Sequence, residues 1–165
     1  MKLTENDVRK IEEEIKHRKL VVRPEALEAV KEARAHGDLS ENFEYHAAKR
    51  DKNKNESRIR YLERILKTAE VISDDSKDDE VGIDNTVEIY FEDDDETETY
   101  KLVTTMRGDS LAGRISTESP IGKAIMGHKA GERVEVKVND DVSYFVVIKS
   151  IKNTTDEASD EIRKY

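Results

Sequence analysis

Between Met1 and Ile72 the chain holds a single glycine, Gly37, and a single proline, Pro24. With the two strongest breakers of regular structure so sparse, among dense Glu, Lys, Arg and Ala, the expected fold here is long helices. Thr4 and Asp7 stand at capping-box spacing, and apolar residues then recur at Val8, Ile11 and Ile15 with helical period. The stripe resumes at Leu20, Val21, Leu27 and Val30, with Pro24 between. A proline inside a helix removes a hydrogen bond, so a kink or break is expected near Arg23-Pro24. His36-Gly37-Asp38 ends the pattern, Gly37 suiting the left-handed position after a helix. Asp38 is the expected cap of a second helix, with Glu41 three residues on. Its seam runs Tyr45, Ala48, Lys52, Asn55, Ile59, Leu62, Leu66, Ala69 and wants a partner helix. A tight turn makes the two helices antiparallel. Arms of ~30 residues at ~1.5 Å per residue give a probe of ~45 Å. Lys52 and Asn55 interrupt the seam; they read as a snorkelling lysine and a register-fixing asparagine, or as local loosening.

Charge divides the chain in two. The net charge is −9. Residues 1–72 carry 17 Lys and Arg against 15 Asp and Glu, whereas residues 73–165 carry 12 against 23. Ser73 to Glu80 reads as a solvated linker. Beyond it, Thr86–Phe91, Thr99–Val103, Val134–Val138 and Tyr144–Ile151 read as strands. Glu92 to Glu96 reads as a hairpin tip, and Ser119-Pro120 as a cap followed by a first-turn proline. The expected organisation is a coiled-coil hairpin at 1–73 with its tip near 37–42, and an acidic linker at 74–82. A small antiparallel sheet domain with one short helix then fills 83–152, before a polar, frayed tail at 153–165. The fold class is α+β. Cysteine is absent, which excludes disulfides, thiol catalysis and Cys-ligated zinc. No apolar run approaches the ~20 residues of a membrane span, and none of secretory type follows Met1. A cytoplasmic protein with no membrane partner is expected. The acidic balance argues against general duplex DNA binding.

The hairpin tip, Ala33-Arg34-Ala35-His36-Gly37-Asp38-Leu39-Ser40-Glu41-Asn42, carries the chemistry. Asp38 and Glu41 at a helix start read first as caps. A transition-metal site from His36, Asp38, Glu41 and His46 is poorly spaced for one helix face. The remaining reading is that two carboxylates on a long arm are delivered into another protein's phosphoryl-transfer site, where magnesium takes one or two carboxylates besides phosphates. Residues 49–67 hold eight cations against three carboxylates, either a solvated face or a face that tracks a nucleic-acid strand.

Two stretches carry a resemblance. One is Arg23-Pro24-Glu25 with Ala33 to Asn42 and Glu44-Tyr45-His46-Ala47-Ala48. The other runs from Gly113-Arg114-Ile115-Ser116 through Ser119-Pro120-Ile121-Gly122-Lys123-Ala124-Ile125-Met126-Gly127. In these the chain resembles the Gre family of bacterial transcription elongation factors, from about Leu3 to Ile151. The resemblance implies a coiled-coil hairpin and an FKBP-like C-terminal domain without prolyl isomerase activity. It implies docking on RNA polymerase at the mouth of its secondary channel, with Ser119 and Pro120 on the docking surface. The tip then reaches the active site, where Asp38 and Glu41 help hold a shared Mg²⁺ and activate water. The polymerase itself cleaves the backtracked nascent RNA at its 3′ end.

On this resemblance Ser40 and Asn42 position the tip, and Arg34, Lys49 and Arg50 contact RNA or polymerase. The factor is a monomer when free, binds no cofactor tightly and is not itself an enzyme. The alternatives are a non-catalytic channel inhibitor, or a coiled-coil adaptor with no polymerase partner. The chain departs from the family pattern at Phe43, where a small residue is usual, at Asp51–Asn55 and at Thr105–Ser110. The tail after Lys152 lies outside the resemblance.

Overall fold

The computed structural model describes residues 1–37, 41–157 and 159–164. The chain divides into two compact units, Met1 with Val8–Ala69, and Lys2–Asp7 with Glu70–Tyr165. The elements are β1 (Lys2–Leu3), α1 (Glu5–His17), a π-helical turn (Arg18–Val22), α2 (Arg23–Ala35), α3 (Phe43–Thr68) and β2 (Glu70–Val71). They continue with β3 (Thr86–Phe91), β4 (Glu96–Val103), β5 (Arg114–Ser116), α4 (Pro120–Ile125), β6 (Arg133–Lys137) and β7 (Ser143–Lys152).

The capping box opens α1 as expected. Thr4 N–H donates to Asp7 Oδ2 at 2.9 Å and Asp7 N–H to Thr4 Oγ1 at 3.2 Å. The break expected at Arg23-Pro24 is the π-helical turn just before it, in which Arg23 N–H donates five residues back to Arg18 O. Pro24 has no N–H to give, and its ring crowds the carbonyl four residues earlier. A wider turn relieves both while keeping the helix continuous, with right-handed backbone at His17, Val22 and Arg23.

The first unit buries a narrow apolar seam, Ile11, Val30, Ala33, Ile59 and Leu62. Polar ties between the arms do the rest. Asn55 is buried and bonds Arg18 twice, accepting from Nη1 at 3.1 Å and donating to the carbonyl at 3.2 Å. It therefore fixes register, as a polar seam residue can, and it does so against the first residue of the π-helical turn. Arg58 meets Glu14 in a fork at 2.8 and 3.2 Å, and Arg23 meets Glu56 in another at 2.7 and 3.0 Å. Arg18 adds a third bond to Glu14 at 2.7 Å. Burial raises the Glu14 pKa, but the guanidiniums of Arg58 and Arg18 outweigh it and hold the carboxyl below its ordinary value.

In the second unit β3, β4, β6 and β7 pair antiparallel, in the sheet order β5-β4-β3-β7-β6. The sheet is mixed, which corrects the all-antiparallel expectation. Two 3₁₀ turns, Thr105–Arg107 and Ser110–Ala112, carry the chain back so that β5 enters parallel to β4. Period-two alternation puts Val87, Ile89, Val134, Val136, Val146 and Ile148 into one core, with Leu102 and with Ile125 of α4. Val81 joins that core, fully buried. The end of the expected linker is therefore packed, with Val81 N–H bonded to His128 O and Gly127 N–H to Val81 O.

The described residues of the tail, expected to be frayed, are tied back to the sheet unit, a second correction. Thr154 Oγ1 donates to Asp84 O at 2.6 Å, Lys101 pairs with Asp160, and Arg163 N–H donates to Met106 O at 2.6 Å. The polar composition of the tail hid these ties, because each is made to a distant residue.

Arg107 gathers these segments. It is completely buried, with Nε on Asp7, Nη1 on Asp84, and Asp156 3.6 Å away. Thr104 Oγ1 satisfies the other oxygen of Asp7 at 2.6 Å. Burial pushes the Asp84 carboxyl up, and the pull of Arg107 does not restore it.

Two outcomes follow. Arg107→Ala should lower the unfolding free energy by about 3–5 kcal/mol in a urea titration, because it leaves buried carboxylates without their cation. For Glu14 the depressed folded-state pKa means its contribution is present above the unfolded-state pKa and is lost as pH falls through the folded one. Helix melting followed by circular dichroism should lose stability below about pH 4, and Glu14→Gln should flatten that part of the profile.

Candidate functional site

The tip begins where α2 stops. His36 is the C-cap residue, its N–H bonded to Ala33 O, and Gly37 follows at φ +121°. That backbone region favours glycine, as the sequence pattern requires. Asp38, Leu39 and Ser40 lie outside the described residues, so the placements expected for Asp38 and Ser40 are proposals. Glu41 is exposed.

The start of α3 corrects the capping expectation. Asn42 is the N-cap, in extended backbone at φ −87° and ψ 93°, and its Oδ1 accepts from Tyr45 N–H at 3.0 Å. Its amide nitrogen donates to Ala33 O in the last turn of α2 at 2.6 Å. One side chain thus satisfies an orphan donor of α3 and donates to a carbonyl in the last turn of α2, which an ionised carboxylate cannot do. Glu41 consequently precedes the helix and is not its third residue. Asp38-x-x-Glu41 matched a capping box, whereas Asn42 has no Glu or Gln three residues on, so the stronger pattern pointed four residues too early.

Behind the cap the arms are locked together. Nδ1 of His36 lies 2.9 Å from Glu44 Oε2, and the Arg34 guanidinium sits 5.6 Å from the Tyr45 ring centroid. A hydrogen bond from Arg34 lowers the Tyr45 pKa below its ordinary value. Arg34, expected to contact RNA or polymerase, is engaged within the hairpin. Lys49 and Arg50 are exposed. Sequence reasoning passed over Tyr45 as a tip anchor because it also fits the seam. Among the described tip side chains, the exposed carboxylate of Glu41 is an oxygen donor of the hard kind magnesium takes, and one carboxylate is an incomplete shell. Such a tip fits a cation whose remaining ligands come from elsewhere.

In the sheet unit, Ser119 caps α4, accepting from Gly122 N–H at 3.1 Å and donating to Ser116 O at 2.6 Å. Pro120 opens the helix and is exposed. A Cβ on Gly122 would stand 2.0 Å from Ser116 O, so the corner closes only around glycine. Thr105 Oγ1 and Ser116 Oγ lie 2.6 Å apart, tying this corner to the first 3₁₀ turn, and Leu111 in the second is fully exposed.

An antiparallel helical arm with acid at its end, followed by a separately cored sheet domain, defines the class. Residues 1–71 match the family model described as transcription elongation factor, N-terminal, and residues 75–153 match transcription elongation factor, GreA/GreB, C-term. The chain is 46% identical over 136 residues to transcription elongation factor GreA of Allorhizobium ampelinum, covering 81% of this chain and 85% of that protein. With GreA of Chloroherpeton thalassium identity is 44% over 147 residues, covering 88% and 93%. With that of Caldanaerobacter subterraneus subsp. tengcongensis it is 46% over 137 residues, covering 82% and 87%. Thermus aquaticus Gfh1, a solved structure, aligns over 92% of this chain and 97% of its own at 23% identity, with a TM-score of 0.43. The chain belongs to the GreA/GreB family of transcription elongation factors.

The cap makes a prediction. Asn42→Ala should cost about 1 kcal/mol and raise amide hydrogen exchange at residues 43–46. Asn42→Asp should restore the α3 cap but not the bond to Ala33 O.

Proposed function

We propose that this chain stimulates cleavage of backtracked nascent RNA by RNA polymerase, its hairpin entering the secondary channel and its sheet domain docking outside. The observation that carries the reading is the capping by Asn42. That residue caps the start of α3, and Glu41 precedes the helix and is exposed.

Asp38 and Glu41 would hold a Mg²⁺ shared with the polymerase, and that ion would lower the pKa of a bound water and offset charge on the phosphate. This chain's own residues do the placing. Asn42 fixes where the tip leaves α3, Gly37 turns it, and the Arg34–Tyr45 contact keeps the arms together under load. Ser40, between the two carboxylates in sequence, would help position the tip. Lys49 and Arg50 face solvent behind the tip and offer charge to RNA phosphates. The corner of Ser119 and Pro120 is the docking surface, rigid because Gly122 allows its close approach. In this reading the factor is a cytoplasmic monomer when free, and the polymerase supplies the active site, so the chain alone hydrolyses nothing.

The test is RNA cleavage in a stalled, backtracked elongation complex. Asp38→Ala combined with Glu41→Ala should slow stimulated cleavage by on the order of 10²–10³ while still competing with wild type for polymerase. Undiminished cleavage by the double variant would refute the tip mechanism. Binding without any stimulation by the wild-type chain would favour the inhibitor reading, and no recovery of core polymerase would favour an adaptor.

A further inference from the structure

Phe43 is the first residue of α3, two positions after Glu41, and it is 86% exposed. A lone exposed apolar residue is ordinary; this one differs by its position. At 100° per residue, Phe43, Arg50 and Lys54 fall within about 20° of one line along α3. Arg50 and Lys54 are both exposed. They follow the ring at about 10 Å and 16 Å along the helix. An aromatic face followed by cations in one line is how single-stranded nucleic acid is held without reading its sequence. The ring supplies a platform for a base, and the cations neutralise the backbone leading away from it.

We infer that Phe43 stacks on the unpaired base at or beside the RNA 3′ end, making it a positioning residue with a preference for purines. The inference rests on the proposed entry of the tip into the polymerase channel. Stacking strength grows with ring area, so adenine and guanine gain more than uracil from one aromatic face. A carboxylate two residues from the ring would then be held at a fixed offset from the base, which orders the reacting phosphodiester relative to the tip. The charge pattern favours RNA over an apolar patch of polymerase as occupant, since the two side chains nearest that line in the next three turns, Arg50 and Lys54, are exposed cations.

The experiment uses elongation complexes of bacterial RNA polymerase backtracked by one nucleotide, with adenosine or uridine at the RNA 3′ end. Cleavage rate is followed against factor concentration for wild type, Phe43→Ala, Phe43→Leu and Phe43→Tyr. The exposed site makes all three variants foldable, and circular dichroism checks it. Phe43→Ala and Phe43→Leu should raise the half-saturating concentration roughly 5- to 100-fold at adenosine ends and less at uridine ends, with Phe43→Tyr near wild type. A 2-aminopurine base at the 3′ end, read with the cleavage-dead Asp38→Ala/Glu41→Ala background, should change fluorescence with Phe43 and Tyr but not with Leu. If Leu matches wild type in both assays, the ring touches an apolar polymerase surface and the inference is wrong. Equal loss at both ends, or no loss with Ala, overturns it equally. Wild type that stimulates normally while the Phe43 variants are silent sinks this inference alone; wild type that never stimulates sinks the proposed function with it.

Discussion

The second unit depends on one buried guanidinium. Arg107 bonds Asp7 from the start of the chain and Asp84 from the approach to the sheet, and lies near Asp156 from the tail. Among the described residues, neither the start of the chain nor the tail supplies a side chain to the apolar core of the sheet, so packing on that core does not hold them. A fully desolvated cation does it differently. Its solvation cost is met only when every carboxylate is in place, so the arrangement is close to all-or-none. Asp7 is also half of the capping box that starts α1. The same carboxylate therefore begins a helix and completes the ionic cluster, and the helix start is fixed by residues a hundred positions away.

The hairpin solves the same shortage with a different economy of contacts. Among the described residues, five buried apolar side chains are few for two arms of this length. Apolar seams slide by a heptad at small cost, whereas a buried asparagine does not, because a shifted register strands its amide. Asn55 holds Arg18 by both its side chain and its carbonyl, and the forks Arg58–Glu14 and Arg23–Glu56 lie on either side. The π-helical turn lies inside this clamp. Local distortion at Pro24 is thus absorbed where cross-arm bonds are densest, and the tip beyond receives a defined register.

Much of this was legible in the sequence. The helical period, Gly37, Pro24 and the Thr4–Asp7 box are local signals, and local hydrogen bonding decides them. The strands were legible for the same reason, since alternation at Val134 and Val136 needs no partner to be seen. What escaped is non-local. Arg107 reads as one more surface cation in a charged chain, and only three carboxylates from three distant segments make it a core residue. The tail escaped likewise, because Asp160 and Thr154 act through Lys101 and Asp84. The start of α3 was misplaced on a different ground. A capping box at Asp38 and Glu41 competed with a lone asparagine at Asn42, and the asparagine prevailed because its amide also reaches Ala33 across the turn.

That substitution of one cap for another changes what the charge pattern means. A helix N-terminus carries partial positive charge, so acid just ahead of α3 is favoured electrostatically without a carboxylate being used to close the helix. Acid can then be kept at the end of the arm while cations begin one to two turns behind it, at Lys49 and Arg50. A tip that was acidic and also had to cap itself would turn its oxygens inward. A tip that was basic throughout would bind phosphate but bring no ligand for a cation. The separation of signs along α3 needs a neutral side chain at the junction that can both accept and donate, and among the helix-capping residues asparagine supplies that with an amide long enough to cross to the other arm. The sum of −9 hides this order, because most of the acid belongs to the other half of the chain.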